Sequence, residues 1–167
     1  MDIFIEKIIK RQKKFLDFLI IGGAIALAVL IAVFLFLNAF ILFILFTPGL
    51  IFLIYYIITL RNIEYEYAVT NGDLDIDIII NQSKRKRLFS ASCKEFEAVA
   101  RVDSPQYTQK IKNCKNVKDY SSRKEGSEVW FAFTKQEGKD LVILFEPSKK
   151  MIDNFTIYIP RKVHRDI

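Results

Sequence analysis

Residues 18–60 carry no charged side chain, a run of 43 positions that is almost wholly apolar. As one helix it would extend about 65 Å at about 1.5 Å per residue. A hydrocarbon core of about 30 Å needs only about 20 residues. The run therefore predicts two membrane crossings folded as a hairpin, with roughly a hundred residues left on one side.

The whole chain is 51% hydrophobic, yet its formal charge is +6. Segregation reconciles the two, since the charges flank the apolar run. Lys7, Lys10, Arg11, Lys13 and Lys14 precede it, Arg61 ends it, and Lys84, Arg85, Lys86 and Arg87 follow. The positive-inside tendency puts both termini in the cytoplasm, and two crossings require both ends on one side. The expectation is a multi-pass cell-membrane protein in three parts: a basic amphipathic segment (1–17), a hairpin (18–60) and a cytoplasmic domain (61–167). A cleavable signal peptide does not fit. The basic start contains acidic residues, and the apolar run is far too long.

Ile3, Phe4, Ile8, Ile9, Phe15 and Leu16 among lysines favour an interfacial helix before the hairpin, or else a basic extension of its first crossing. The crossings are expected near residues 18–37 and 41–60. Asn38 marks the outer turn, with Pro48-Gly49 as the other choice. The first is preferred, because a turn at Pro48 leaves too few apolar residues for the return, and membrane helices tolerate Pro and Gly. Gly22, Ala24, Ala26, Ala28 and Ala32 give small-xxx-small spacings that let helices approach closely. They suit contact within the hairpin, and Gly22, Ala26, Ala28 and Ala32 also suit a homo-oligomer. The run has no ionisable group for a proton or ion path, which argues against a transporter or channel.

Beyond the hairpin, Ile63, Tyr65, Tyr67 and Val69 alternate with Glu64, Glu66, Ala68 and Thr70, the period of a half-buried strand. Asn71-Gly72 is a favoured hairpin turn. Leu74, Ile76, Ile78 and Ile80 then alternate with Asp73, Asp75 and Asp77. These carboxylates, with Glu64 and Glu66, are expected on the solvent face. A third strand is expected near residues 84–91 and a fourth over 95–102, with Phe96, Ala98, Ala100 and Val102 on one face. Residues 105–126 are polar and read as a short helix and a weak strand near 117–121. Val129, Phe131 and Phe133 alternate with Trp130 and Ala132. Gln136-Glu137-Gly138 turns the chain, and Leu141, Ile143 and Phe145 return it. Pro147 suits a first helical position. Met151, Ile152, Phe155, Tyr158 and Ile159 form a helical stripe stopped by Pro160. The fold class is thus α+β: a two-helix hairpin, then a small, mostly antiparallel β domain of about seven strands closed by a C-terminal helix.

The order of these elements resembles that of bacterial pleckstrin-homology-like (PH-like) membrane proteins. Glu66-Tyr67-Ala68-Val69-Thr70-Asn71-Gly72-Asp73-Leu74 is similar to the Y-x-V-T-x-x-x-L opening of their soluble domain. Over nearly the full length the chain resembles a family of small membrane proteins of clostridia and relatives. That likeness rests on Met1-Asp2-Ile3-Phe4-Ile5-Glu6-Lys7, Arg61-Asn62-Ile63-Glu64-Tyr65-Glu66-Tyr67 and Tyr158-Ile159-Pro160-Arg161-Lys162. It implies a PH-like soluble domain and brings no activity with it.

No catalytic constellation is visible. A glycine-rich phosphate loop, a nucleophile elbow and a histidine set are absent from the sequence. His164 stands alone, and Cys93 and Cys114 lack redox or zinc spacing, so reduced thiols and no metal or cofactor are expected. The candidate site is Lys84, Arg85, Lys86 and Arg87. It reads either as a sheet edge kept soluble by charge or as a contact with anionic lipid headgroups or a protein partner. It lacks a nucleic-acid recognition motif. The expected function is a non-catalytic, membrane-anchored binding or scaffolding module. The alternative is a structural subunit of a larger membrane complex, packed through the hairpin.

Overall fold

The computed structural model describes residues 4–136 and 138–165. Met1 to Ile3 of the opening motif, Glu137 of the expected turn, and Asp166 and Ile167 lie outside them. The described residues form eight strands, which fall into two four-stranded sheets.

The first sheet has the order β1 (Phe4–Lys10), β2 (Ile63–Thr70), β3 (Asp73–Ile80), β4 (Lys84–Ser92), all antiparallel. The second has the order β5 (Ala98–Arg101), β7 (Trp130–Gln136), β8 (Lys139–Phe145), β6 (Val117–Asp119), and only the β6–β8 pair is parallel.

Strand β1 corrects the expectation of an interfacial helix. Residues 4–10 pair with β2 from Phe4↔Thr70 to Lys10↔Glu64. Ile5 and Ile9 pack against the core beside Tyr65, Tyr67 and Val69, while Phe4, Glu6, Ile8 and Lys10 face outward. Alternation is the period of a strand, and the free edge of β2 supplies the hydrogen-bonding partner that a short segment by itself lacks. The sheet domain therefore begins before the apolar run, and the hairpin is an insertion between β1 and β2 rather than a segment preceding a domain that starts at 61.

That hairpin is α1 (Phe15–Asn38) and α2 (Phe40–Leu60). Both helices are long and apolar enough to cross a membrane. The break falls at Ala39, beside Asn38, where φ −153° and ψ 72° leave helical geometry. Pro48 lies inside α2. Phe36 meets Phe40 and Phe43 edge-to-face near the break. Ala28 is buried and Ala24 and Ala32 are half-buried, whereas Gly22 and Ala26 are exposed.

Two apolar clusters hold the sheets. The larger combines Tyr67, Val69, Leu74 and Ile76 of the first sheet with Trp130, Ala132, Leu141, Ile143 and Phe145 of the second. Met151, Ile152 and Phe155 of helix α4 (Lys149–Tyr158) belong to it, and Phe155 meets Phe96 edge-to-face. The helix starts two residues later than Pro147 suggests, because Ser148 is its N-cap and its Oγ accepts the Met151 N–H. The smaller cluster lies on the opposite face of the second sheet. Phe131, Phe133 and Val142 pack there with Ile111 of the one-turn helix α3 (Gln109–Lys112) and with Tyr107. The polar stretch 105–126 thus has a packing role, covering a sheet face that would otherwise be wet. Phe96 differs from expectation: a 3-10 turn at Cys93–Glu95 turns it into the larger cluster, while Ala98, Ala100 and Val102 face the smaller one.

Candidate functional site

The run at 84–87 opens β4, an edge strand, and all four side chains are exposed. Its register fixes where each points. Lys84 and Lys86 pair with Ile80 and Ile78, and Arg85 and Arg87 pair with Ile79 and Asp77. Leu88 is the extra residue of a bulge that interrupts the register between Ile76 and Asp77. The four charges therefore divide between the two faces of the sheet.

The two arginines have partners. Arg85 is ion-paired with Glu66, and Arg87 with Asp77 and, at 2.8 Å, with Asp75. This corrects the expectation that the carboxylates are simply solvated. Glu66 is 4% exposed and Asp77 8%. They are direct cross-strand partners on β2 and β3. Like charges placed so are destabilising, and the guanidinium groups reaching over from β4 offset the repulsion. Burial pushes the Glu66 carboxyl above its ordinary value; Arg85 opposes the shift, and Glu6 and Asp77 add to it. Among the described residues Lys84 and Lys86 carry no ion pair.

The hairpin is joined to the sheets by a second charged group, which the sequence reading missed. Asp17, in the first turn of α1, is 4% exposed. Its carboxylate accepts the Lys14 backbone N–H at 3.0 Å and the Arg11 guanidinium at 3.0 and 3.3 Å. Arg61, just past α2, stands 3.6 Å away. One carboxylate thus ties the end of β1 to the start of one helix and the end of the other. The Arg11 N–H donates to the Ile63 carbonyl at 3.0 Å, and the Gln12 N–H to that of Ser122 at 2.8 Å. The available signal was an acid placed between a basic segment and a long apolar run, at the spacing of a helix cap.

A buried polar group links the sheets at Tyr67 of the Y-x-V-T text. Its hydroxyl donates to the Tyr120 carbonyl at 2.6 Å and accepts the Glu146 N–H at 3.3 Å. The Glu146 carboxylate accepts both the N–H and the hydroxyl of Ser122, each at 2.7 Å, and Lys7 donates to the Glu146 carbonyl at 2.9 Å. These are structural ties, each donor with an acceptor.

Cys93 and Cys114 are both free; Cys93 is buried and its thiol is pushed up by burial. The His164 N–H pairs with the Val99 carbonyl at the margin of the second sheet. Among the described residues no three His, Cys, Asp or Glu side chains are gathered as metal ligands.

A family model described as a bacterial PH-like domain (DUF6106) matches residues 1–165 of the chain. No curated protein and no solved structure matches it.

Proposed function

This chain belongs to the bacterial PH-like domain family, and from that premise we propose that it is a non-catalytic binding or scaffolding module, anchored in the cell membrane by its hairpin and held at the inner leaflet. A PH-like domain suits binding or scaffolding. The observation that carries the membrane part is the bareness of the hairpin. In α1 only Asp17 and Ala28 are buried, and in α2 no residue is. Soluble monomers rarely expose contiguous apolar patches beyond a few hundred Å², and two bare helices of 24 and 21 residues far exceed that. Lipid covers such a surface, and each helix has the length for one crossing at about 1.5 Å per residue.

The inner-leaflet orientation is supported by Lys10, Arg11, Lys13, Lys14 and Arg61 at the two feet of the hairpin. Lys84 shares that end of the first sheet, since it pairs with Ile80, which pairs with Ile63 two residues after Arg61. With Arg85 and Arg87 held by carboxylates, the contact we propose for the run with anionic headgroups falls mainly on Lys84 and Lys86. Reporter fusions at Ile167 and beside Asn38 test the orientation. The expected result is a cytoplasmic signal at Ile167 and an external one beside Asn38; an external C-terminus would overturn it.

One observation favours a second reading, in which the hairpin also packs against another helix, of a second copy or of a larger complex. Gly22 and Ala26 lie one turn apart on the exposed side of α1, and beyond its chain neighbours and its own helix backbone nothing stands within 4 Å of where a Gly22 side chain would begin. Disulfide trapping of Gly22→Cys in membranes tests the second copy, with monomer alone as the opposing result.

A further inference from the structure

Between the feet of the hairpin and the ends of β1 and β2 lies a cleft of about 490 Å³, lined by Lys10, Arg11, Gln12, Lys13, Phe18 and Asn62. Five of the six offer hydrogen-bond donors, and none is a carboxylate. Asp17, one residue before Phe18, is buried and already engaged by Arg11 and the Lys14 N–H. Arg61 is drawn to the same carboxylate, so one negative charge is shared by two guanidinium groups. Lys10 faces Glu64 across the strand pair without an ion pair between them, and among the described residues Lys13 has none either. The cleft therefore keeps a surplus of positive charge from two free ammonium groups. Phe18, 61% exposed, begins the apolar surface of α1 at its rim.

We infer that this cleft holds the phosphate-bearing headgroup of one anionic phospholipid. The inference rests on the membrane reading above and assigns it a site distinct from residues 84–87. The chemistry is that of charge-assisted hydrogen bonds from Lys10 and Lys13 to phosphate oxygens, with Gln12 and Asn62 offering amide donors for the polar remainder of the headgroup. Phe18 and the bare wall of α1 would lie along the glycerol and the first acyl carbons. A soluble phosphate offers the cations the same oxygens but leaves that apolar rim wet, which is why the geometry points to a lipid. Lys7 is engaged by the Glu146 carbonyl and Arg11 by Asp17, whereas among the described residues the ammonium groups of Lys10 and Lys13 have no ion pair.

The test uses the full chain in micelles of a non-ionic detergent, titrated with dioctanoyl phosphatidylglycerol, with dioctanoyl phosphatidylcholine and with inorganic phosphate. Bound lipid is read by native mass spectrometry. The expected result is one saturable phosphatidylglycerol per chain, little phosphatidylcholine, and no displacement by inorganic phosphate at equal concentration. Lys10→Gln/Lys13→Gln should weaken the binding by about tenfold or more, as two charge-assisted bonds are lost, while Lys115→Gln/Lys139→Gln, at exposed positions outside the cleft lining, leaves it unchanged. Should the double variant fail to fold, Lys13→Gln alone should weaken binding several-fold and Lys13→Arg should restore it. Unaltered affinity in the Lys10 and Lys13 variants would overturn the site. Equal binding of phosphatidylcholine, or displacement of the lipid by phosphate, would overturn the anionic-lipid assignment. The micelle has no inner side, so an external C-terminus in the fusion experiment would undo the orientation while leaving this result standing.

Discussion

Gly72 shows how one backbone position can depend on both local and distant structure. With Asn71 it forms the turn between β2 and β3, and both residues have positive φ, 51° and 89°. Asn tolerates that conformation and glycine adopts it without steric cost. The fold adds a second demand, because a Cβ at Gly72 would stand 2.8 Å from a Tyr158 ring carbon and 3.0 Å from the Cys93 sulfur. Gly72→Ala is thus expected to destabilise the chain by about 1–3 kcal/mol, more than Gly138→Ala, whose φ is also positive but whose surroundings are open. Chemical unfolding of the two variants side by side checks the difference. Glu66 makes an opposite case, a carboxyl whose burial disfavours its charged form. Its carboxyl is raised above 4.5 in the folded state, so the folded chain holds that proton more tightly than the unfolded one. Its contribution is most favourable below the unfolded value and is lost as pH rises through the folded one. Glu66→Gln is accordingly expected to be at least as stable as the native chain at neutral pH, with a flatter pH dependence above 4.5. Thermal midpoints measured at acid and neutral pH give the comparison, and a marked loss at neutral pH in the variant would show that the Arg85 pair outweighs the burial.

At the scale of elements, α4 is the clearest case of pattern turned into packing. Its stripe enters the larger core, and Phe155 is fully buried against Phe96. Phe155→Ala should cost about 3–5 kcal/mol, a large share of the stability of a small domain. Wild-type thermal stability in that variant would deny the helix its anchoring role. The second sheet depends on an element with little pattern of its own. Its outer face is apolar through Phe131, Phe133 and Val142, and Ile111 and Tyr107 cover it from a segment that is otherwise polar. The two feet of the hairpin are elements joined by charge instead. Arg11, Asp17 and Arg61 come from three different segments, and their convergence fixes where the helices leave the sheet.

For the whole molecule, the governing fact is that the apolar hairpin is inserted between two paired strands. Arg11 already donates to the Ile63 carbonyl, so the chain needs only a short turn to pass from β1 to β2. Replacing residues 12–62 with Asn-Gly should give a soluble β domain whose strand content matches the parent, whereas a fragment beginning at 61 should be less stable and prone to associate through the bare edge of β2. Circular dichroism and sedimentation of the two proteins test this, and equal behaviour would make β1 dispensable. The uncharged run by itself determined that two long helices exist, because no shorter arrangement suits so many consecutive apolar residues. Period-two alternation likewise determined β2, β3, β7 and β8, and the stripe at 151–159 determined α4. These are local signals, set by which side chains one face of an element can bury. The role of residues 4–10 was decided only in three dimensions, since a strand needs a partner and theirs lies more than fifty positions away. The same holds for the candidate sites. Sequence showed four adjacent cations at 84–87 but not that two of them are held by Glu66, Asp75 and Asp77. It showed the basic residues before the hairpin but not that Arg11 is taken by Asp17 while Lys10 and Lys13 remain free around a cleft. Which charges are spent and which are available depends on distances across strands, and those distances exist only in the folded chain.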